Sequence, residues 1–195
     1  MLGSSPTAAP STSSSNFIKT FAGTGTAASS GTGGPPLAAS FKTPTSIWAD
    51  SAGVYYIADP GSFCIRKIDT SNIVQLYTGV CETSGYSGDG GAASSALLNT
   101  GTVMFGSSLG TMYLADYTSH VVRSVSSSGI INTICGNPSA STYTGDGGPA
   151  SSATIKSPIG VWVDSVGNVY VTCFSFAVVR KIDTSNIITT IAGEI

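Results

Sequence analysis

Apolar residues in this chain gather in short runs of strand length, and clusters of Asp, Ser, Gly and Asn separate one run from the next. In the C-terminal third the runs are residues 160–164 (GVWVD), 168–172 (NVYVT), 178–183 (VVRKID) and 187–192 (IITTIA). Runs of four to eight residues bounded by turn chemistry predict β-strands. Both parities along each run are largely apolar, which predicts sheets covered on both faces. Asp164-Ser165-Val166-Gly167 and Asp50-Ser51-Ala52-Gly53 carry the Asp-first, Gly-fourth signature of a type I turn. Asp69-Thr70-Ser71-Asn72 and Asp183-Thr184-Ser185-Asn186 supply side chains that bond their own backbone and tolerate left-handed geometry. The predicted unit is a four-stranded antiparallel meander, with helix nearly absent.

The unit occurs three times. Residues 56–72 (YIADPGSFCIRKIDTSN) return as 113–129 (YLADYTSHVVRSVSSSG) and as 170–186 (YVTCFSFAVVRKIDTSN), a constant offset of 57 residues. A period of this length points to a repeat architecture, and small repeated four-stranded sheets pack radially as blades of a β-propeller. The fold expected is all-β: a propeller segment of three four-stranded antiparallel blades, at about 24–79, 80–136 and 137–193, within residues 16–195. Residues 17–22 (FIKTFA) align with the fourth strand of each later unit, and the third blade already has its own fourth strand at 187–192. The chain therefore carries an extra N-terminal outer strand. Closed propellers need about four to eight blades, so further blades or a homo-oligomer would be needed to close a ring. Residues 1–15 (MLGSSPTAAPSTSSS) read as a flexible or disordered linker.

The segments P-x-G-V-x-V-D, N-V-Y-V, R-K-I-D and I-T-T-I-A-G, fullest at 158–193, resemble the NHL repeat. The connector GDGGPA at 145–150, echoed by Gly88-Asp89-Gly90-Gly91 and by Gly31-Thr32-Gly33-Gly34, is similar to the inter-blade segment of long NHL repeats in bacterial proteins and teneurin-like ectodomains. The resemblance spans about residues 16–195 and implies a propeller. It is open on function, because propellers of this kind include binding scaffolds as well as lyases and lactonase-like hydrolases with a channel metal. The middle copy departs from the pattern at Ser107 and Gly101, and the third at Thr172-Cys173.

Charge narrows the field. Only 9% of residues are charged and the formal net charge is −2, so no basic field is available for nucleic acid, and no apolar stretch is long enough to span a membrane. The composition leans toward an extracellular or cell-surface setting. All eight aspartates and seven of the eight basic residues fall at repeated positions, leaving Lys19, Glu82, Glu194 and His120 outside the register. Recurrence marks scaffold, and a catalytic or metal site needs converging unlike groups. No catalytic residues, metal ligands or cofactor are therefore assigned. Asp89 and Asp146 in the Gly-Asp-Gly-Gly loops are candidates for a loop ion or anion site.

The four cysteines read as buried small hydrophobes. Hairpin pairing around 69–72 sets Cys64 opposite Thr78, so a Cys64–Cys81 bridge requires the chain to fold back after Gly79; Cys135 and Cys173 are expected to be free. The candidate binding face is the side where blade connectors and second-to-third strand loops emerge, with Phe63, Tyr86, Tyr117, His120, Tyr143, Phe174 and Phe176. The reading is a non-enzymatic scaffold that binds protein or a glycan there. The rivals are part of a lyase-like or lactonase-like enzyme and an architectural spacer in a larger surface protein.

Overall fold

The computed structural model describes residues 18–140 and 142–193; the linker expectation at 1–15 lies outside them. The first sheet has strands β1 (Ser46–Ala49), β2 (Tyr55–Asp59), β3 (Cys64–Ile68) and β4 (Val74–Thr78). The second has β5 (Thr102–Gly106), β6 (Met112–Asp116), β7 (Val121–Val125) and β8 (Ile131–Gly136). A two-residue strand, β9 (Gly148–Pro149), precedes the third sheet of β10 (Pro158–Val163), β11 (Val169–Cys173), β12 (Val178–Ile182) and β13 (Ile187–Ala192). Within each sheet every strand pairs antiparallel with the next, and β9 adds outside β13. The non-strand segments hold only single 3-10 turns, and no helix among the described residues is long and apolar enough to cross a membrane.

The turns form as the sequence predicts. Asp50 Oδ1 accepts the amides of Ala52 and Val54, and Asp69 Oδ1 those of Ser71 and Ile73, while Asn72 and Asn186 close their turns at φ of 60° and 61°. In the middle blade Ser107 and Ser126 replace the aspartates, and their hydroxyls accept the Thr111 and Ile130 amides instead. The departure noted at Ser107 therefore preserves its turn, and so does the parallel replacement at Ser126.

Third and fourth strands carry one bulge in every blade, at Ile65/Arg66, Val122/Arg123 and Val179/Arg180. An extra residue in the fourth strand shifts pairing by one, so Thr78 faces Ile65 and not Cys64, as uninterrupted pairing had suggested. Fourth strands are not left as open edges. The Gly-rich connector preceding each blade pairs with that blade's own fourth strand, through Gly33 and Val74, Gly90 and Ile131, and β9 with β13. Covering an outer edge this way protects it from pairing with other chains. Of the extra strand expected at 17–22, the described residues 18–22 form no strand and are unpaired; the Phe21 and Tyr55 rings meet at a tilt with centroids 4.6 Å apart, and Ala22 packs against the apolar face of the first blade.

The sheets stack side by side through their first strands, β1 against β5 and β5 against β10. Between the first two blades lie Ala58, Ile65, Met104, Met112 and Leu114 with the connector residues Ala93, Ala96 and Leu98; between the second and third lie Ala115, Val122, Cys135, Val161, Val169 and Val171. The result is an arc of three β-propeller blades.

Candidate binding rim

The repeated charges form a bracket within each blade. Arg66, Arg123 and Arg180 lie on the third strand beside the bulge of the fourth and are at most 1% exposed. Each guanidinium donates to two connector carbonyls at matching register positions: Ser30 and Ser40 at 2.7 and 2.5 Å, Ser87 and Leu97 at 2.8 and 3.0 Å, Thr144 and Thr154 at 3.1 and 3.0 Å. The planar fork of donors suits Arg to this clamp. An aromatic ring lies against each guanidinium, Phe41, Tyr86 and Tyr143 in turn.

The counter-ion moves between copies. Arg123 and Arg180 pair with Asp89 at 2.6 Å and Asp146 at 2.5 Å. In the first blade Thr32 stands at that position, and Asp59 pairs with Arg66 at 3.3 Å. In the third blade Cys173 stands where Asp59 would be, and Asp146 alone serves. Burial pushes the Asp89 and Asp146 carboxyls up, but hydrogen bonds from Thr133 and Thr190, together with those from the arginines and their charge, outweigh it and hold both below the usual range. Both loop aspartates thus already face a cation supplied by the blade itself.

The seven candidate face residues fall into two groups. Tyr86 and Tyr143 lie over their arginines, and their hydroxyls bond Thr133 at 2.6 Å and Thr190, which ties each ring to the outer strand of its blade. Phe176 joins Tyr143 at 5.4 Å. The loops joining second to third strands hold the others. Phe63 and His120 are half-buried at the same register position, both in left-handed geometry at φ of 57°. Tyr117 and Phe174 share another position, occupied in the first blade by Pro60, and are 37% and 64% exposed.

These loops and the connectors emerge on one rim, because they bond each other. Gly61 N–H donates to Thr43 Oγ1 at 2.8 Å, Thr118 Oγ1 donates to the Thr100 carbonyl at 2.9 Å, and Phe174 N–H donates to the Ser157 carbonyl at 3.0 Å. His120 Nδ1 accepts the Ser157 amide at 3.2 Å and so links the second blade to the third. Buried carboxylates anchor two of the loops from beneath. Asp59 accepts the Lys42 and Thr43 amides and the Ser62 hydroxyl, and Asp116 accepts the Asn99 and Ser119 amides. Sequence reading missed this anchoring role, although the polar series Thr43, Thr100, Ser157 recurs in register and was the available signal.

On the first blade a disulfide reinforces the rim. Cys64 and Cys81 are bridged with Cα atoms 5.0 Å apart, which corrects their reading as buried small hydrophobes. The fold-back it requires is made by Gly79 at φ 92°, where a Cβ would lie 2.5 Å from the Phe63 carbonyl. Glu82 N–H then donates to Ser62 O at 2.8 Å, and Glu82 pairs with Lys42. Cys135 and Cys173 are free and buried.

No protein-family model and no curated protein sequence matches the chain. Solved structures do match. A Bacteroides thetaiotaomicron protein of unknown function superposes at TM-score 0.62 with 22% identity, over 78% of this chain and 36% of that one. An auxiliary nutrient binding protein from Bacteroides ovatus gives 0.58 with 14% identity, over 80% and 37%. Virginiamycin B lyase from Staphylococcus aureus gives 0.50 with 16% identity, over 76% and 40%. At these identities the likeness is one of fold, a β-propeller, and the matched region is well under half the length of each of these proteins.

Proposed function

We propose that this chain is an NHL-type propeller segment that serves as a non-enzymatic binding scaffold, and that its working surface is the rim carrying Tyr117 and Phe174. The observation that carries the reading is the contrast between its polar and aromatic residues. The recurring arginines and their aspartates are used inside the blades, whereas two aromatic rings at one register position project from loops rooted by Asp116, Ser119 and Ser157. Exposed aromatics on a rigid support are what recognition surfaces favour, since they bury large area with little loss of side-chain freedom.

A partner of protein or glycan chemistry fits such a surface, and the fold likeness to auxiliary nutrient binding proteins supports ligand capture. The Cys64–Cys81 bridge supports an oxidising setting, such as a secreted or surface protein. A lyase-like reading would draw on the virginiamycin B lyase likeness. Among the described residues, however, no three His, Cys, Asp or Glu side chains stand together to hold a metal.

Selection of binders from a displayed peptide library and from a glycan array, run on the full chain and on a Tyr117→Ser/Phe174→Ser variant, tests the proposal. Binders that lose at least tenfold in affinity on the variant, with its melting temperature unchanged, are expected. Binders indifferent to the two substitutions, or none from either source, would overturn it.

A further inference from the structure

A cleft opens between the first and second blades, at the end of the sheets opposite the rim, where the β1–β2 turn and the β5–β6 turn lie side by side. Both walls are adjacent blades of this chain. The outer part holds about 490 Å³ and is lined by Trp48, Asp50, Ser51, Gly106, Ser107 and Ser108 among others. An inner recess of about 40 Å³ shares Trp48 and Asp50 with it and adds Tyr56 and Tyr77. The three rings form a connected wall, Trp48 to Tyr56 at 5.5 Å and Tyr56 to Tyr77 edge-on at 4.8 Å. Asp50 Oδ1 is taken up by the turn amides, while Oδ2 accepts one long hydrogen bond, 3.3 Å, from the Tyr56 hydroxyl. Burial pushes the Tyr77 hydroxyl up, and burial with the Asp50 charge does the same to Tyr56. Both hydroxyls are therefore neutral at physiological pH, and Asp50 carries the only charge on the lining.

The repeat register shows that this combination occurs once. The Trp48 position holds Phe105 and Trp162 in the later blades, the Tyr77 position holds Ile134 and Ile191, and the Asp50 position holds Ser107 and Asp164. Across the cleft, Gly106 stands where the other blades have Ala49 and Val163. That glycine is what lets the Trp48 ring lie against the second blade, since a Cβ there would be 2.6 Å from three ring atoms. Blade packing needs none of these exceptions, because the second and third blades pack without them.

We infer that the recess receives the primary ammonium group of a small organic amine, with the uncharged stem of that molecule in the outer cleft. Aromatic rings attract a cation through their electron-rich faces, more strongly where water is excluded. Asp50 supplies a half-buried carboxylate beside them, and no basic residue lines either space; Lys67, which pairs with Tyr56 on β3, lines neither. Size selects within the class. A recess of about 40 Å³ exceeds the roughly 30 Å³ share of one water, enough for an ammonium head and too little for a trimethylated one. In the outer cleft Ser107 Oγ accepts the Thr111 amide, which leaves its O–H to donate to a polar stem. The site is separate from the rim of Tyr117 and Phe174, so either can fail without the other.

Fluorescence of Trp48, isolated in the full chain by Trp162→Phe, and calorimetry in amine-free neutral buffer test the inference with n-butylammonium as the probe. Saturable binding with a dissociation constant of about 10 mM or tighter is expected. On the same protein n-butanol, which lacks the charge, and n-butyltrimethylammonium, which overfills the recess, should each bind at least tenfold more weakly. Asp50→Ser and Tyr77→Ile install residues that other blades already hold at these positions, so both should keep the melting temperature while weakening the probe at least tenfold. Asp164→Ser removes the matching carboxylate of the third blade and should leave binding unchanged. Absence of saturable binding, equal binding of the alcohol or the trimethylated probe, binding indifferent to both first-blade substitutions, or an equal loss with Asp164→Ser would each overturn it.

Discussion

One guanidinium per blade is sealed between a connector and its sheet, and the surroundings of the three are unequal. Arg66 and its partner Asp59 have side chains at 1% and 0% exposure, whereas Asp89 and Asp146 reach solvent at 39% and 41%. Removing one member of a buried pair strands the other and costs about 3–5 kcal/mol. Arg66→Met is therefore expected to lower unfolding stability by about that much. Arg123→Met should cost visibly less, because water can reach Asp89. Urea unfolding with equal losses for the two would contradict the contrast. At Asp164 the side-chain hydrogen bond from Asn168, joined by the Asn168 and Gly167 amides and the Tyr170 hydroxyl, holds the carboxyl down at about 2. A folded value below the unfolded one, about 3.9, stabilises above that unfolded value and fades as pH falls through about 2. Carboxyl NMR titration should place the Asp164 midpoint near 2, and a midpoint near 3.9 would contradict the turn geometry.

At the level of elements, the rim loops divide into one locked covalently and two held by hydrogen bonds. The Cys64–Cys81 bridge closes a loop with a sequence separation of 17 residues. A loop of this size contributes about 3 kcal/mol by restricting the unfolded chain. Cys81→Ser is expected to shift the urea midpoint accordingly, and an unchanged midpoint would remove the bridge from the account. Burial pushes the Cys135 and Cys173 thiols up to about 12 and about 11. Neither should react with a thiol reagent at pH 8 until the protein unfolds, when both should. Much of this level was legible in sequence: strand runs, Asp turns and the threefold period each rest on local chemistry that repeats. The bulge was not, because one extra residue in a strand leaves no turn signal, and it is what moves Thr78 opposite Ile65. Asp89 and Asp146 read as open loop carboxylates for the same reason, since a partner 34 residues away on another strand leaves no local mark.

For the molecule as a whole, the repeat sorts residues by use. Positions that recur in register hold blades together, and Tyr117 and Phe174 stand out because they are large, exposed and carried on loops that the register keeps rigid. Seen this way, Tyr86, Tyr143 and Phe176 belong mainly to the scaffold, and Phe63 and His120 to the footing of the rim. The overall fold is simple to check, since helix beyond roughly 10% in far-ultraviolet circular dichroism, against about a third in an average domain, is incompatible with three sheets joined by single 3-10 turns. The measurement that tests the central claim most directly is amide NMR mapping of the full chain, titrated with a peptide or glycan selected against it. Shifts concentrated in residues 60–63, 117–120 and 174–177, with the Arg123 and Arg180 side-chain signals unmoved, are the predicted result. Shifts centred on the arginine brackets or spread across the connectors, with those three loops silent, would contradict it.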